Sequence, residues 1–250
     1  MEVHAHTHTA RKKWKHYFWE FLMLFLAVFC GFLAEYQLEH KIEKDREKQY
    51  SKTLYEDLKT DTAILNSLIR EANFVIPKID SFRLLVHTKA IDDIPSGTWY
   101  YYGRFGTRGI AAPLQNATLQ QLVSSGGLRY FKKQNVVYEI AAYEQSTKDI
   151  SNSSDAQLTT LNETIKARNQ IFDSWYIDEI MSITISSSKV DSFKQASYPL
   201  LSRKKEDFIQ YANFCQVRSF NMKRLAERWT KALNNAEKLM LLLKKEYHLK

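Results

Sequence analysis

The feature that most constrains the fold is an uncharged apolar run near the start of the chain, from Phe21 to Ala34. This run of 14 residues is shorter than the roughly 20 that a helix needs to cross a hydrocarbon core. Amphipathic aromatic residues extend it on both sides, where membrane interfaces would place them: Trp14, Tyr17, Trp19 and Tyr36. We therefore predict a transmembrane anchor over residues 17–36.

A cleavable signal peptide shares this pattern of a basic start followed by an apolar run. Cleavage after Ala34 would place the bulky Phe32 where a small residue is required. A lipoprotein signal is disfavoured because Phe29 precedes Cys30. We expect an uncleaved anchor.

The charges around the anchor predict its orientation. Basic residues precede it, and the flank that follows mixes acidic and basic residues. The preceding basic residues are Arg11, Lys12, Lys13 and Lys15. The positive-inside rule then keeps the leader, residues 1–16, in the cytoplasm and exports residues 37–250. Alternating histidines in the leader could bind a divalent metal weakly, but no other ligand cluster supports this, and we predict no metal site.

Glu20 lies about one turn inside the predicted membrane boundary. It could extend toward the head groups, be protonated, or pair with His16 or with a basic residue of a neighbouring chain. The sharper alternative is that it mediates assembly within the membrane. Ala27, Gly31 and Ala34 share its helix face and would allow another helix to approach closely.

Glycine and proline are scarce, with 7 and 4 in 250 residues, which disfavours sandwiches and barrels. We predict a mainly α fold. In this fold the transmembrane helix continues into an elongated antiparallel bundle of about four long helices.

Two apolar seams support this architecture. The first helical stretch reaches about Lys89, and Pro77 should kink or divide it. Its seam is Leu54, Leu58, Asp61, Leu65, Leu68, Ala72, Val75, Ile79 and Phe82. The last helix should run from about Arg203 to Tyr247, with Ser202 available as N-cap. Its seam is Phe208, Tyr211, Cys215, Met222, Leu225, Trp229, Ala232, Ala236, Leu239 and Leu243.

Between the seams, residues 90–129 form a loop-rich insert with an unusual density of aromatic residues. The candidates for a partner or ligand surface are Trp99, Tyr100, Tyr101, Tyr102 and Arg104. The alternative is a lid over the end of the bundle core. Later in the insert, Asn116 is a candidate cap for a short helix that ends before Gly126 and Gly127.

Residues 130–185 continue in helical spacing, with two alternatives. A hairpin turn at Ser151–Asp155 would divide the stretch, while its unbroken heptad phase permits one continuous helix. We predict the hairpin. The apolar positions before the turn are Val136, Val137, Ile140, Tyr143 and Ile150, and those after it are Leu158, Leu161, Ile165, Phe172 and Trp175.

The chain carries no sequence pattern typical of an enzyme site, and we expect neither catalytic residues nor a cofactor. Asp57, Asp61 and Glu71 fall on charged helix faces, where solvation is the ordinary interpretation. Cys30 and Cys215 lie in separate segments and predict no disulfide. The formal charge of +8 is dispersed along the chain, so we predict no nucleic-acid partner.

Several stretches of the sequence resemble a family of small single-pass membrane-anchored helical proteins of Bacteroidota. They are HTARKKWK (8–15), FWEFLMLFLAVFCGFLAE (18–35), REKQY (46–50) and LQQLVSSGGLR (119–129). The resemblance implies an inner-membrane anchor and a periplasmic helical region. It supplies no catalytic residues.

An anchor, a rigid stalk and long apolar seams are typical of a structural or interaction protein. We expect a scaffold or complex-assembly function, with membrane lipid and either protein partners or a second copy as partners. The alternative is an extracytoplasmic sensor-like domain that binds a ligand and signals through a partner protein.

The predicted orientation can be tested with a reporter that is active only in the cytoplasm. Fused after Lys250, the reporter should be silent, because the basic flank retains the N-terminus inside. Fused before Met1, the same reporter should be active and serves as the control. Robust activity of the C-terminal fusion would overturn the orientation.

Overall fold

The computed structural model describes residues 14–109, 111–182 and 187–249. These residues form seven α-helices and contain no β-strand, which confirms the mainly α class. The helices are α1 (Trp14–Thr88), α2 (Ser96–Gly103), α3 (Ala117–Ser124), α4 (Gln134–Ile171), α5 (Ser174–Ser182), α6 (Ser187–Gln195) and α7 (Lys205–Tyr247).

The chain divides into two compact units, Met1–Tyr50 and Ser51–Lys250. The first unit is helical from Trp14 onward, and its apolar segment is exposed. A window of 18 residues has a mean hydropathy of 2.0 with none of it buried. This segment is long and apolar enough to cross a membrane, as the sequence predicts. The basic residues before Trp14 and the alternating histidines lie outside the described residues.

In the second unit, α1 buries one continuous face. Every predicted position of its seam, from Leu54 to Phe82, is less than a tenth exposed, and Val86 extends the buried face. Pro77 lies on the exposed side of α1, where water can replace the lost backbone donor. The helix continues to Thr88, so the alternative in which Pro77 divides it is wrong.

The seam of α7 is confirmed in the same way, because all ten of its predicted positions are buried. The helix begins at Lys205, two residues later than predicted. Ser202 is not its N-cap, since Lys204 occupies that position. The Ser202 hydroxyl instead accepts a hydrogen bond of 3.1 Å from the Lys204 backbone N–H.

The predicted hairpin at Ser151–Asp155 is wrong, because α4 is one helix from Gln134 to Ile171. No glycine or proline interrupts this stretch. Serines compatible with a turn bond back within the helix instead, as when Ser153 donates to the Asp149 carbonyl. Two apolar positions predicted beyond the turn are exposed, Leu158 by 60% and Trp175 by 75%. Trp175 follows the end of α4, so its spacing from the earlier residues does not place it on the same face.

Helices α4 and α7 contact each other through pairs that progress in opposite directions along the two helices. From one end, Lys133 pairs with Glu246 and Lys238 pairs with Glu139 at 2.6 Å. Further along, Asn235 Nδ2 donates to the Ala142 carbonyl, and Arg228 donates to the Asp149 carbonyl at 3.2 Å. The buried face of α7 is therefore covered in part by α4.

Residues 90–129 are more helical than a loop-rich insert. They contain α2, α3 and three single turns of 3₁₀ helix. Asn116 does occupy the N-cap position of α3, without a capping hydrogen bond from its side chain. Gly126 has a φ of 67°, the left-handed conformation that glycine adopts at low cost after a helix.

The buried seam of α7 predicts a large effect of truncating Trp229, which is 1% exposed. Trp229→Ala should lower the free energy of unfolding by about 3–5 kcal/mol through lost transfer energy and a cavity. Leu241→Ala, on the exposed side of α7 at 71% exposure, is the matched control and should have little effect. Thermal melting of the full chain in detergent measures both. A Trp229→Ala melting temperature within a degree of the parent would count against the seam.

Candidate functional site

The anchor unit presents two opposite faces around the apolar segment. At 100° per residue, Glu20, Ala27, Gly31 and Ala34 fall on one face. Phe21, Phe25 and Phe29 fall on the other, with ring centroids of successive pairs 6.2 and 5.9 Å apart. A Cβ atom added at Gly31 would meet no atom within 4 Å, so the small-residue face is open to another helix.

Among the alternatives for Glu20, the structure places it beside His16, with His16 Nε2 3.3 Å from Glu20 Oε1. Both side chains are about half exposed. The four predicted interface residues are also exposed, from 52% at Tyr36 to 82% at Trp14. This exposure leaves their aromatic rings available to a lipid interface.

Of the two alternatives for the aromatic residues, an exposed partner or ligand surface is wrong for the first three. Trp99, Tyr100 and Tyr101 lie on α2 and are buried, by contrast with an exposed loop. Tyr102 and Arg104 are half-buried. Other helices of the same unit pack around α2. A helix in such a position is apolar on every side, which explains its consecutive aromatic residues.

Hydrogen bonds hold α2 in this position. Trp99 Nε1 donates to the Ile91 carbonyl at 3.0 Å, and the Tyr100 hydroxyl donates to the Pro199 carbonyl at 2.6 Å. Ser96 Oγ donates to the Tyr198 carbonyl at 2.7 Å. The buried polar atoms of the aromatic residues are thereby satisfied, which offsets the cost of removing them from water.

Gly97 lies where the backbone of α2 closely approaches the backbone at the end of α6. A Cβ atom at Gly97 would lie 2.0 Å from the Phe193 carbonyl oxygen and 2.8 Å from that of Ala196. The Gly97 N–H donates to the Ala196 carbonyl at 2.9 Å. The backbone of α2 therefore contacts the end of α6 directly, and only glycine fits there.

Aromatic rings from α1, α2 and α7 meet that of Phe172, the residue after α4, in one cluster. Phe82 is central, with ring centroids 6.1 Å from Trp99, 5.1 Å from Tyr211 and 6.3 Å from Phe172. Most of these pairs are edge-to-face, the arrangement that ring quadrupoles favour. The cluster fills the space between the long helices and is a structural core.

Beside this core lies a cleft of about 460 Å³ that we call the arginine cleft. It is lined by residues of α1, α4, α5 and the 3₁₀ turn after α2: Glu71, Arg104, Phe105, Thr107, Arg108, Gly109, Arg168, Ile177 and Asp178. Arg104 is the one predicted partner or ligand candidate in the lining. Periodicity could not reveal the others, because they come from segments far apart in the sequence.

Fixed contacts position the three arginines. Arg108 Nε and Nη2 each lie 2.8 Å from Glu71 Oε1. Arg168 Nη1 donates to Thr107 Oγ1 at 2.9 Å, and Arg104 Nη1 donates to the Ile180 carbonyl at 3.0 Å. Glu71 is therefore half-buried in an ion pair and not simply solvated, which corrects the sequence-based interpretation.

Burial also affects the electrostatics around the cleft. It lowers the pKa of the Arg104 guanidinium; Tyr101 opposes this and Arg108 adds to it. Arg218 lies behind the cleft at 3% exposure, donates to the Arg108 carbonyl at 3.1 Å, and has its pKa lowered by burial. Arginine remains protonated despite such shifts, so the cleft retains its positive charges.

A second polar contact joins α1 to α4. The Tyr143 hydroxyl donates to Asp61 Oδ2 at 2.5 Å, and the Gln115 backbone N–H donates to Asp61 Oδ1 at 2.6 Å. Asp61 is fully buried, so its assignment to a solvated face is wrong. Burial raises the pKa of its carboxyl, and the two hydrogen bonds act in the opposite direction. Asp57 likewise accepts from the Thr118 N–H, at 3.4 Å, and is half-buried.

The cysteine thiol of the second unit lies outside the lining of the arginine cleft. Cys215 is buried, and burial raises the pKa of its thiol to about 12, which keeps it protonated and weakly nucleophilic. Across residues 14–109, 111–182 and 187–249, no group of three His, Cys, Asp or Glu side chains is placed to hold a metal ion.

Comparison with protein families, curated proteins and solved structures finds no match to this chain.

The buried contact between Tyr143 and Asp61 predicts a clear difference between two conservative variants. Tyr143→Phe removes the donor to a buried carboxyl oxygen and should cost about 1–3 kcal/mol of the free energy of unfolding. Tyr138→Phe, on the same helix at 65% exposure, removes a hydroxyl that is not buried and should be neutral. Chemical denaturation of the full chain in detergent measures both. Equal stability of the two variants would contradict the structural role of this contact.

Proposed function

We propose that this chain is a membrane-anchored structural or interaction protein that serves as a scaffold or in complex assembly. One observation carries the proposal: α1 contains an apolar segment with no buried residue, and the second unit of the chain contains buried seams that build a helical domain. An exposed apolar helix of this length needs lipid or other helices around it. Such a chain presents a folded domain at a membrane surface.

The proposed location is the inner membrane, with the N-terminus in the cytoplasm and residues 37–250 in the periplasm. The basic residues before the anchor support this orientation. The resemblance of the first 60 or so residues to the Bacteroidota family supports the compartment. The anchor stays uncleaved because Phe32 occupies a position that signal peptidase requires to be small.

The proposed architecture of the second unit is an antiparallel bundle built on the long parts of α1, α4 and α7. The pairs between α4 and α7 support opposite directions for these helices. Asp80 of α1 accepts from Ser219 and Lys223 of α7, and Lys205 of α7 donates to the Lys89 carbonyl, which supports the same relation between α1 and α7. The hairpin that would have supplied a fourth long helix is absent.

A non-enzymatic function fits the use that the fold makes of its polar side chains. Asp57 accepts from Thr118 at the start of α3, Asp61 accepts from Gln115 just before α3, and Glu71 is paired with Arg108. These carboxylates are committed to positioning the chain and are not arranged as an acid and base pair around a cleft. The Cys215 thiol is buried and protonated.

The sensor-like alternative is favoured by one observation, the arginine cleft. Its volume of about 460 Å³ falls within the range of small-molecule sites. Thermal-shift screening of the full chain against small molecules separates the two functions. Specific stabilisation by one ligand class that also changes partner binding favours the sensor, whereas stoichiometric protein partners alone favour the scaffold.

Purification from native membranes in mild detergent tests the scaffold function directly. Stoichiometric co-purification of a protein partner, or of a tagged and an untagged copy together, is the expected result. Recovery of the chain as a lone monomer under these conditions would contradict the proposal.

Assembly through the anchor gives a sharper prediction. Glu20→Gln removes the charge and Ala27→Leu adds bulk on the small-residue face, so both should reduce crosslinking in membranes to a second copy or partner. Phe25→Leu lies on the opposite face and should leave crosslinking unchanged. If the parent and all variants are purely monomeric and recover no partner, assembly through this face does not occur.

A further inference from the structure

We propose that the arginine cleft is a binding site for a small organic carboxylate, a molecule with one carboxylate group attached to an apolar body. This site is additional to the scaffold function and does not depend on it. The inference rests on the donors of Arg168, the charge balance of the lining and the aliphatic stems of the cleft arginines.

Arg168 supplies the anion-binding fork. A guanidinium has five N–H donors, and three of those of Arg168 are engaged by neutral oxygen atoms. Nη1 donates to Thr107 Oγ1 at 2.9 Å, while Nε and Nη2 donate to Asn169 Oδ1 at 3.1 and 2.8 Å. No carboxylate within the described part of the chain forms an ion pair with Arg168. Two donors and the full positive charge remain for a ligand.

Contacts within the protein already hold the cleft arginines in place when no ligand is bound. Thr107 holds one arm of the Arg168 guanidinium, and Glu71 holds Arg108 in an ion pair. Arg218 holds the 3₁₀ turn that carries Thr107 in place, because it donates hydrogen bonds to the Gly106 and Arg108 carbonyls. The donors are therefore already ordered before a ligand binds, so binding costs little side-chain entropy.

The formal charge of the lining selects a monoanion. Arg104, Arg108 and Arg168 contribute three positive charges, and Glu71 and Asp178 contribute two negative charges. A carboxylate balances the remaining single charge. A phosphate dianion would exceed this charge and would meet the exposed Asp178.

The same lining also has apolar parts. Phe105 and Ile177 border the cleft at 1% and 6% exposure, so only narrow edges of these side chains reach it, and the aliphatic stems of the arginines supply the rest of its apolar surface. A planar apolar body can lie against these stems while its carboxylate faces Arg168, since arginine matches carboxylate geometry with two parallel donors. The volume of about 460 Å³ accommodates a small molecule of this kind.

Equilibrium dialysis of the full chain in detergent against labelled benzoate tests the proposal. Benzamide has the same ring without the charge, and inorganic phosphate is the anion without the apolar body. We expect saturable binding of benzoate, at least tenfold weaker binding of benzamide, and no saturable binding of phosphate. Detergent micelles without protein correct for partition of the probe.

Arg168→Gln should weaken benzoate binding at least tenfold, which is 1.4 kcal/mol. Lys166→Gln is the matched control on the same helix, since Lys166 is 72% exposed, pairs with Glu163 and lies outside the cleft lining. It should bind benzoate as the parent does. If Arg168→Gln does not fold, Thr107→Val removes the hydroxyl that holds the guanidinium and should also weaken binding.

Three results would overturn the proposal: no saturable benzoate binding, equal binding of benzoate and benzamide, or phosphate binding in place of benzoate. Unchanged affinity in a folded Arg168→Gln chain would do the same. None of these results alters the expected co-purification of partners, so failure of the site and failure of the scaffold function are distinguishable.

Discussion

The buried face of α1 in the second unit is the constraint on which the rest of that unit depends. From Leu54 to Val86 the helix presents a run of side chains with almost no exposed area, and an isolated helix in water cannot bury such a run. Parts of α2, α4 and α7 cover it. α7 lies along it near Asp80, and α4 reaches it through the Tyr143 hydroxyl. Packing, more than helix propensity, thus determines where the chain folds back.

The aromatic side chains of α2 fill the space between these long helices. Straight helices with aliphatic seams leave space where they diverge, and large rings fill space at low entropy cost. Trp99, Tyr100 and Phe105 occupy that space and are at most 1% exposed. Their hydrogen bonds reach the segments before α2 and after α6. The arginine cleft lies beside this packed centre, so its positively charged side chains project from a rigid support.

The long elements could be predicted from the sequence because their information is periodic. The seams of α1 and α7 repeat every three or four residues, and each position predicted on them is buried. Turn-compatible residues misled the prediction around Ser151, where the helical phase was the better guide than the local composition. A run of consecutive aromatics has no period, so the burial of α2 was not predictable from spacing alone.

Most residues of the candidate site could not be predicted from the sequence, for a related reason. Arg108 meets Glu71 across 37 residues, and Arg168 meets Thr107 across 61 residues, and no local pattern marks either pair. Asp61 occupied a seam position in the heptad pattern, a signal that it was buried and needed a partner. Its contact with Tyr143 could have been sought on that basis, although not assigned to a particular tyrosine.

One helix, α1, contains an exposed apolar segment and a segment that is buried in protein, and the proposed anchor places the first of these in lipid. A nitroxide scan along α1 in liposomes, in a Cys30→Ser background, tests it most directly. Positions 21–34 should be protected from a water-soluble relaxation agent on all sides, and those outside the small-residue face should be accessible to oxygen. Positions 54–86 should show accessibility that oscillates with the helical period of 3.6 residues. Free access of the water-soluble agent to positions 21–34, or the absence of a helical period beyond position 54, would contradict the account.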